Sequence, residues 1–376
     1  LLIPWVQMSS RLGCTLPVGD SGAWEYPLHW LAIAGSVDVN EISSGKRAEK
    51  IVSPRTGYRV EVPVASSAAE PKLPIPVGPL SAAVLELLAG RPPRRALIRT
   101  DVHIGDADPY GLDLQLALHI CYGLHFRGFA GVDDRWQWDP GLLHLRGCLE
   151  VCFEEALLRE VGEPDESETA VAELTGLSVE PVDGEDLSHF LRDEGTWDQM
   201  REYFVHRSTN AFAGEFGVGH GDRPLRHRFA APLRAAGLDP KLLAYLDHVP
   251  AESLAAANLI AMFGLHRSWR GAAAGHRACT EITRPPGARR MVQALQRVDA
   301  PKACVRFHAE QAESAGAHAA TVVVSELLRR EPHLDRDVVV GSRARRLIEE
   351  RLSAHVMKSW VSGRSSLRRP LGRPLA

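Results

Sequence analysis

Beyond residue 78 the apolar positions recur three and four apart, the spacing of one helix face, and nothing there alternates with period two over a strand's length. The spacing predicts an amphipathic helix over 80–88, ended by Arg91-Pro92-Pro93. Asp106 to Tyr110 is a helix start with Pro109 near the first turn, and 112–126 continues it. Trp136, Trp138 and Asp139-Pro140 mark a loop and the next start, followed by a long helix over 142–161. An acidic link, EPDESE, leads to a helix expected from about 186 to 206. Further helices are expected over 225–236, 240–247, 251–270, 272–282, 288–297, 303–330 and 338–360. Short Gly or Pro breaks between most of them favour antiparallel packing. The fold class is therefore all-α, with one helical domain over 78–365.

The flanks read differently. Residues 1–77 lack sustained periodicity and are expected to form a largely irregular N-terminal extension with a strand or two. Its end, PKLPIPVGPL, is an extended entry segment, because each proline restrains itself and its predecessor. Residues 366–376 are expected as a basic, solvated tail. The chain opens on LLIPWVQMSS with no initiator Met, which predicts a fragment or a mis-started frame.

Composition narrows the function classes. Of 376 residues, 45% are hydrophobic and 24% charged, which suits a globular protein with a sizeable core. A formal net charge of -3 argues against a nucleic-acid partner. No apolar run approaches the roughly 20 residues a bilayer requires, so no membrane partner is expected. The six cysteines form no CxxC pair and no disulfide framework, and a cytoplasmic location is expected. The Gly-rich stretch 214–224 follows no strand and carries no GK[ST], so it is not a phosphate loop.

Four strings carry more specific information: DADPYGLDLQLALHICYGLHFRGFAGVDDRWQWDP, EPVDGEDLSHFLRDEGTWDQMREYFVHRS, MFGLHRSWRGAAAGH and SGRSSLRRPL. Together, in order over about 78–371, they resemble the iron-containing redox enzyme family. The resemblance implies a haem-oxygenase-like helical bundle with a non-haem diiron centre. It implies an oxidoreductase acting on a small-molecule substrate with dioxygen, and a homodimer is carried as an expectation. Carboxylate oxygens suit hard iron and bridge two metals, while imidazoles fix geometry and leave open positions.

Carried over residue by residue, the family's metal ligands map onto Glu215 in GEFGVG, Glu281 in GHRACTE and His318. The remaining positions depart. Leu225 stands near an expected His, with His227 two residues on; Gln311 and Ala315 stand where a His and an Asp are expected. Gln311, Ala315 and His318 would share one face of the expected 303–330 helix. About 30 residues of the family pattern, roughly one helix and a loop, are missing after Ser208. Glu215, Glu281 and His318 are thus the metal candidates, with Gln311 and His227 as weaker ones. Two readings follow: a non-haem iron oxidoreductase with an incomplete site, and a non-catalytic relative that kept the fold and lost the diiron site.

Overall fold

A computed structural model describes residues 70–90, 104, 106–126, 128–165, 167–177, 187–213, 225–313 and 316–372, together with two short strands. The chain divides into two units, 1–64 and 65–376. In the first unit, β1 (Glu49–Val52) pairs with β2 (Arg59–Val62) antiparallel, with Glu49 opposite Val62 and Val52 opposite Arg59. The rest of the expected irregular extension lies outside the described residues.

The second unit is all-helical among its described residues, as the apolar spacing predicts. In chain order its helices are α1 (Pro79–Ala89), α2 (Leu112–Phe126), α3 (Pro140–Val161), α4 (Ala170–Gly176), α5 (Leu187–Asp193) and α6 (Trp197–Ala213). There follow α7 (Leu225–Ala235), α8 (Ala251–Leu265), α9 (Arg270–Arg297), α10 (Lys302–Ala312), α11 (Gly316–Arg330) and α12 (Asp335–Val361). The entry segment lies on this unit: Pro71 and Pro74 are buried, and the Pro71 carbonyl accepts from the Ala130 amide at 2.9 Å.

Caps set several boundaries. Asp139 accepts from the amides of Gly141 and Leu142 and so starts α3, as Asp139-Pro140 predicts. Asp113 of α2 reaches back to the free amides of Leu80 and Ser81 at 2.8 Å each, tying α1 to α2. A Cβ on Gly78 would strike that carboxylate, so glycine is required by space there. Likewise Phe129 packs directly on Gly123, leaving no room for a side chain.

Five expectations are corrected. The helix expected over 186–206 is two, α5 and α6, because Thr196 and Gln199 form a reciprocal capping box that restarts the chain after Gly195. The helix expected over 251–270 stops at Leu265, with a 3-10 turn (Arg267–Trp269) before α9. The break expected at Pro285-Pro286 is absent: α9 runs through both prolines. Burial of Ile282, Pro285, Ala288 and Met291 along one side outweighs the two backbone bonds the prolines forgo. The stretch 240–247 is a series of turns rather than a helix, with Leu243 in the left-handed region at φ 56°. Finally, the single helix expected over 303–330 is α10 and α11, and α10 closes where the Glu313 amide reaches the carbonyls of Ala309 and Gln311. The short α4, capped by Thr169, was not expected at all.

At the centre, α9 crosses α12 at unusually close range. A Cβ on Gly275 would overlap the Val338 carbonyl, and one on Gly341 would overlap that of Ala272. Small residues at both sides of the crossing, RGAAAG on α9 and Gly341 on α12, let the backbones meet. The residues expected as a basic tail begin on the bundle, with Ser366 and Leu367 buried.

Candidate functional site

The polar interior of the helical unit is built by the same crossing. One turn beyond the glycine contacts, α9 presents His276 and Thr280 and α12 presents Arg345 and Glu349. Helix α6, started by the Thr196 cap, brings Tyr203 and Arg207, and α10 brings His308. Helix α6 lies far in sequence from the other three, so the fold assembles them.

Their geometry is defined by one carboxylate. Glu349 Oε2 accepts from Arg207 Nη1 at 3.2 Å and lies 3.0 Å from Arg345 Nη1. Arg207 Nε donates to the Tyr203 hydroxyl at 3.0 Å, and Arg345 Nε donates to Thr280 Oγ1 at 3.3 Å. Burial alone would raise the Glu349 carboxyl, but the two guanidiniums hold it down at about 2. His308 is 8% exposed, stacks on Phe204 with ring centres 5.9 Å apart, and its Nε2 has no hydrogen-bond partner. Burial, then the Arg207 charge, pushes the His308 imidazole down to about 3. Burial, then Arg345 and Arg277, does the same to His276. Both imidazoles are therefore neutral near neutral pH, beside a cluster of two guanidiniums and one carboxylate.

A second buried network closes the end of α6. His206 is fully buried between Ser253 Oγ and Ser366 Oγ, each at 2.9 Å. Glu202 accepts from Trp360 Nε1, Ser365 Oγ, and both the amide and hydroxyl of Ser366. The string SGRSSLRRPL is thus a strap across α6 and α12. A third group joins α2 to α8: Asn258 Nδ2 donates to the Gln115 carbonyl and side chain at 2.8 Å, and its Oδ1 meets His119 Nδ1 at 3.2 Å.

Of the expected metal ligands, Glu281, His318 and Gln311 lie among the described residues. Glu281 on α9 is buried, and its Oε1 is taken by Arg277 and Arg284, each at 2.8 Å. Its Oε2 is buried without a partner. His318 is exposed on the first turns of α11. Gln311 lies on the last turn of α10, in a different helix from His318, so the expected shared face does not exist. Ala315 and Glu215 lie outside the described residues, as does the side chain of His227 on α7.

Residues 199–350 match the model of the iron-containing redox enzyme family. The match covers less than half of the chain. It spans α6 to most of α12, hence both the glycine crossing and the arginine-rich interior. No curated protein matches the chain.

Iron is the group this family implies, and the described residues do not fit it. No three His, Cys, Asp or Glu side chains among them are placed to share a metal ion. The one expected ligand that is buried and described, Glu281, already answers two guanidinium charges, which would repel a dication brought to the same carboxylate. The interior charges of the family segment are arginine–carboxylate pairs. Arg207, Arg345, Glu349, His276 and His308 went unassigned in the sequence, although Arg207 sits in FVHRS and His276 in AAAGHR. The i, i+4 spacing of Arg345 and Glu349 was their one readable signal. No helix among the described residues is long and apolar enough to cross a membrane.

Proposed function

We propose that this chain is a non-catalytic member of the iron-containing redox enzyme family, a helical binding scaffold whose interior is held by arginine–carboxylate pairs in place of an iron centre. The observation that carries the reading is the pair of guanidiniums on Glu349 Oε2, matched by the pair on Glu281 Oε1. A carboxylate that already balances two fixed cations gains little from a metal ion, and at either carboxylate the metal would meet two guanidinium charges. The test is anaerobic Fe(II) loading of the whole chain, followed by desalting, iron analysis and an oxygen-electrode trace. The expected result is far less than one iron per chain and no iron-dependent oxygen uptake. Stoichiometric iron that is lost in Glu281→Gln overturns the reading.

A second reading, a non-haem iron oxidoreductase acting on a small molecule, is favoured by one observation. Glu281 Oε2 is buried with no partner, an acceptor open to a cation. That site would draw Glu215 and His227 to Glu281, and iron uptake abolished by both Glu215→Ala and Glu281→Gln would support it.

A further inference from the structure

The interior cluster has unspent donors. Arg207 uses Nε and Nη1 on Tyr203 and Glu349, and Arg345 uses Nε and Nη1 on Thr280 and Glu349. The Nη2 group of each has no hydrogen-bond partner among the described residues. Two guanidiniums share one carboxylate at this point. Two other carboxylates of α9 and α6 are engaged elsewhere: Glu281 by Arg277 and Arg284, and Glu202 by the strap and Trp360. The cluster is not sealed, because the side chains of Arg207 and Glu349 keep 33% and 28% exposure. A buried, unbonded imidazole nitrogen is costly unless something fills its valence. His308 Nε2 is such an atom, on a ring stacked on Phe204, three residues before Arg207 on α6. The His276 imidazole lies within reach of the Arg345 and Glu349 charges.

We propose that Arg207 and Arg345, with His308 and His276 beside them, form a binding site for a small oxyanion, a carboxylate or a phosphate. The planar guanidinium fork suits the paired oxygens of either, and the two free Nη2 groups supply two charge-assisted donors. Both guanidiniums are pre-positioned by Glu349, so binding costs little ordering of long side chains. A neutral imidazole offers either a donor or an acceptor, so His308 Nε2 accommodates a charged or a protonated oxygen. The aromatic rings of Phe204 and Phe307 around His308 exclude water on that side and strengthen the interaction.

This inference rests on the reading that arginine–carboxylate pairs, not iron, hold the interior. Its test is calorimetric titration of the whole chain near neutral pH with sodium acetate, sodium benzoate and inorganic phosphate, each against sodium chloride at matched ionic strength. Saturable binding of one stoichiometric equivalent is expected from the carboxylates or from phosphate, and the arm that saturates identifies the class. Arg345→Gln, which leaves Arg207 on Glu349, should weaken it about tenfold or more; Arg329→Gln, a surface variant, should not. Should Arg345→Gln fail to fold, the wild type still decides: the imidazole nitrogen resonances of His308 should shift on titration with the binding anion. Heats that match the chloride control, or unmoved His308 resonances, overturn the site. Stoichiometric iron in the separate loading experiment would instead remove the reading beneath it.

Discussion

His206 Nε2 lies 2.9 Å from Ser366 Oγ, although 160 residues separate them. The same serine donates to Glu202, so one short C-terminal segment locks the buried end of α6 to α12. Glu202 answers four donors there, and replacing it with alanine leaves them without an acceptor inside the protein. Glu202→Ala should lower stability by about 2–3 kcal/mol. Urea unfolding should show the midpoint falling with the slope unchanged; a midpoint equal to the wild type would mean the strap holds nothing.

The glycine crossing makes a sharper demand. Gly275→Ala or Gly341→Ala drives a methyl group into a carbonyl of the facing helix, so α9 and α12 must separate. Each substitution should cost about 1–3 kcal/mol or more. Gly287→Ala, on the same helix with open space around it, is the comparison and should be neutral or slightly stabilising. Equal behaviour of the three variants in thermal melts would contradict the packing described.

Acid sensitivity follows from the buried imidazoles. Burial lowers His119 to about 4, and His206 and His308 to about 3, so the folded protein keeps them neutral where the unfolded chain takes up protons. The unfolded state then binds more protons, and stability falls as pH drops below about 6.5, by up to about 1.4 kcal/mol per pH unit for each such histidine. His355 runs the other way. Its hydrogen bond to Glu252 raises it, so its contribution is present below about 6.5 and is lost as pH climbs through the raised value. Urea midpoints against pH should show a steep acid limb, and His308→Phe, in its aromatic surroundings, should flatten it. An acid limb unchanged by that variant would count against the buried neutral imidazole.

The restart of the chain at α6 is a local matter and has a local test. Thr196→Ala removes one half of the capping box and should cost about 1 kcal/mol. Thr196→Ser should recover most of it, as read by the same unfolding midpoints.

Helix content was readable from residue 78 onward because burial follows the 3.6 period there, and α2, α3 and α7 fall within a residue or two of their expected spans. The misses share a cause. Pro285-Pro286 and the run through Glu313 were judged on local propensity, and tertiary burial decided the first while a backbone cap decided the second. The capping box at Thr196 is legible in GTWDQ, but it lies inside a long apolar period that masks the break. The site was less legible. Family likeness directed attention to Glu281 and His318, whereas the interior charge is set by Arg207, Arg345 and Glu349, whose pairing across α6 and α12 no spacing rule reveals. Only Glu281, among the expected ligands described, proved to be buried.

The two prolines inside α9 leave the carbonyls of Glu281 and Ile282 without their usual amide donors four residues on. On one side of that gap the helix is clamped to α12 by the glycine contacts. On the other, Arg290 and Arg297 tie it to α5 and the turn that follows. Helix α9 is thus two stiff rods with a soft joint between them, and the joint lies at the carboxylate held by Arg277 and Arg284. Bending at this joint would swing α5 and the end of α9 relative to the crossing while leaving the crossing itself intact.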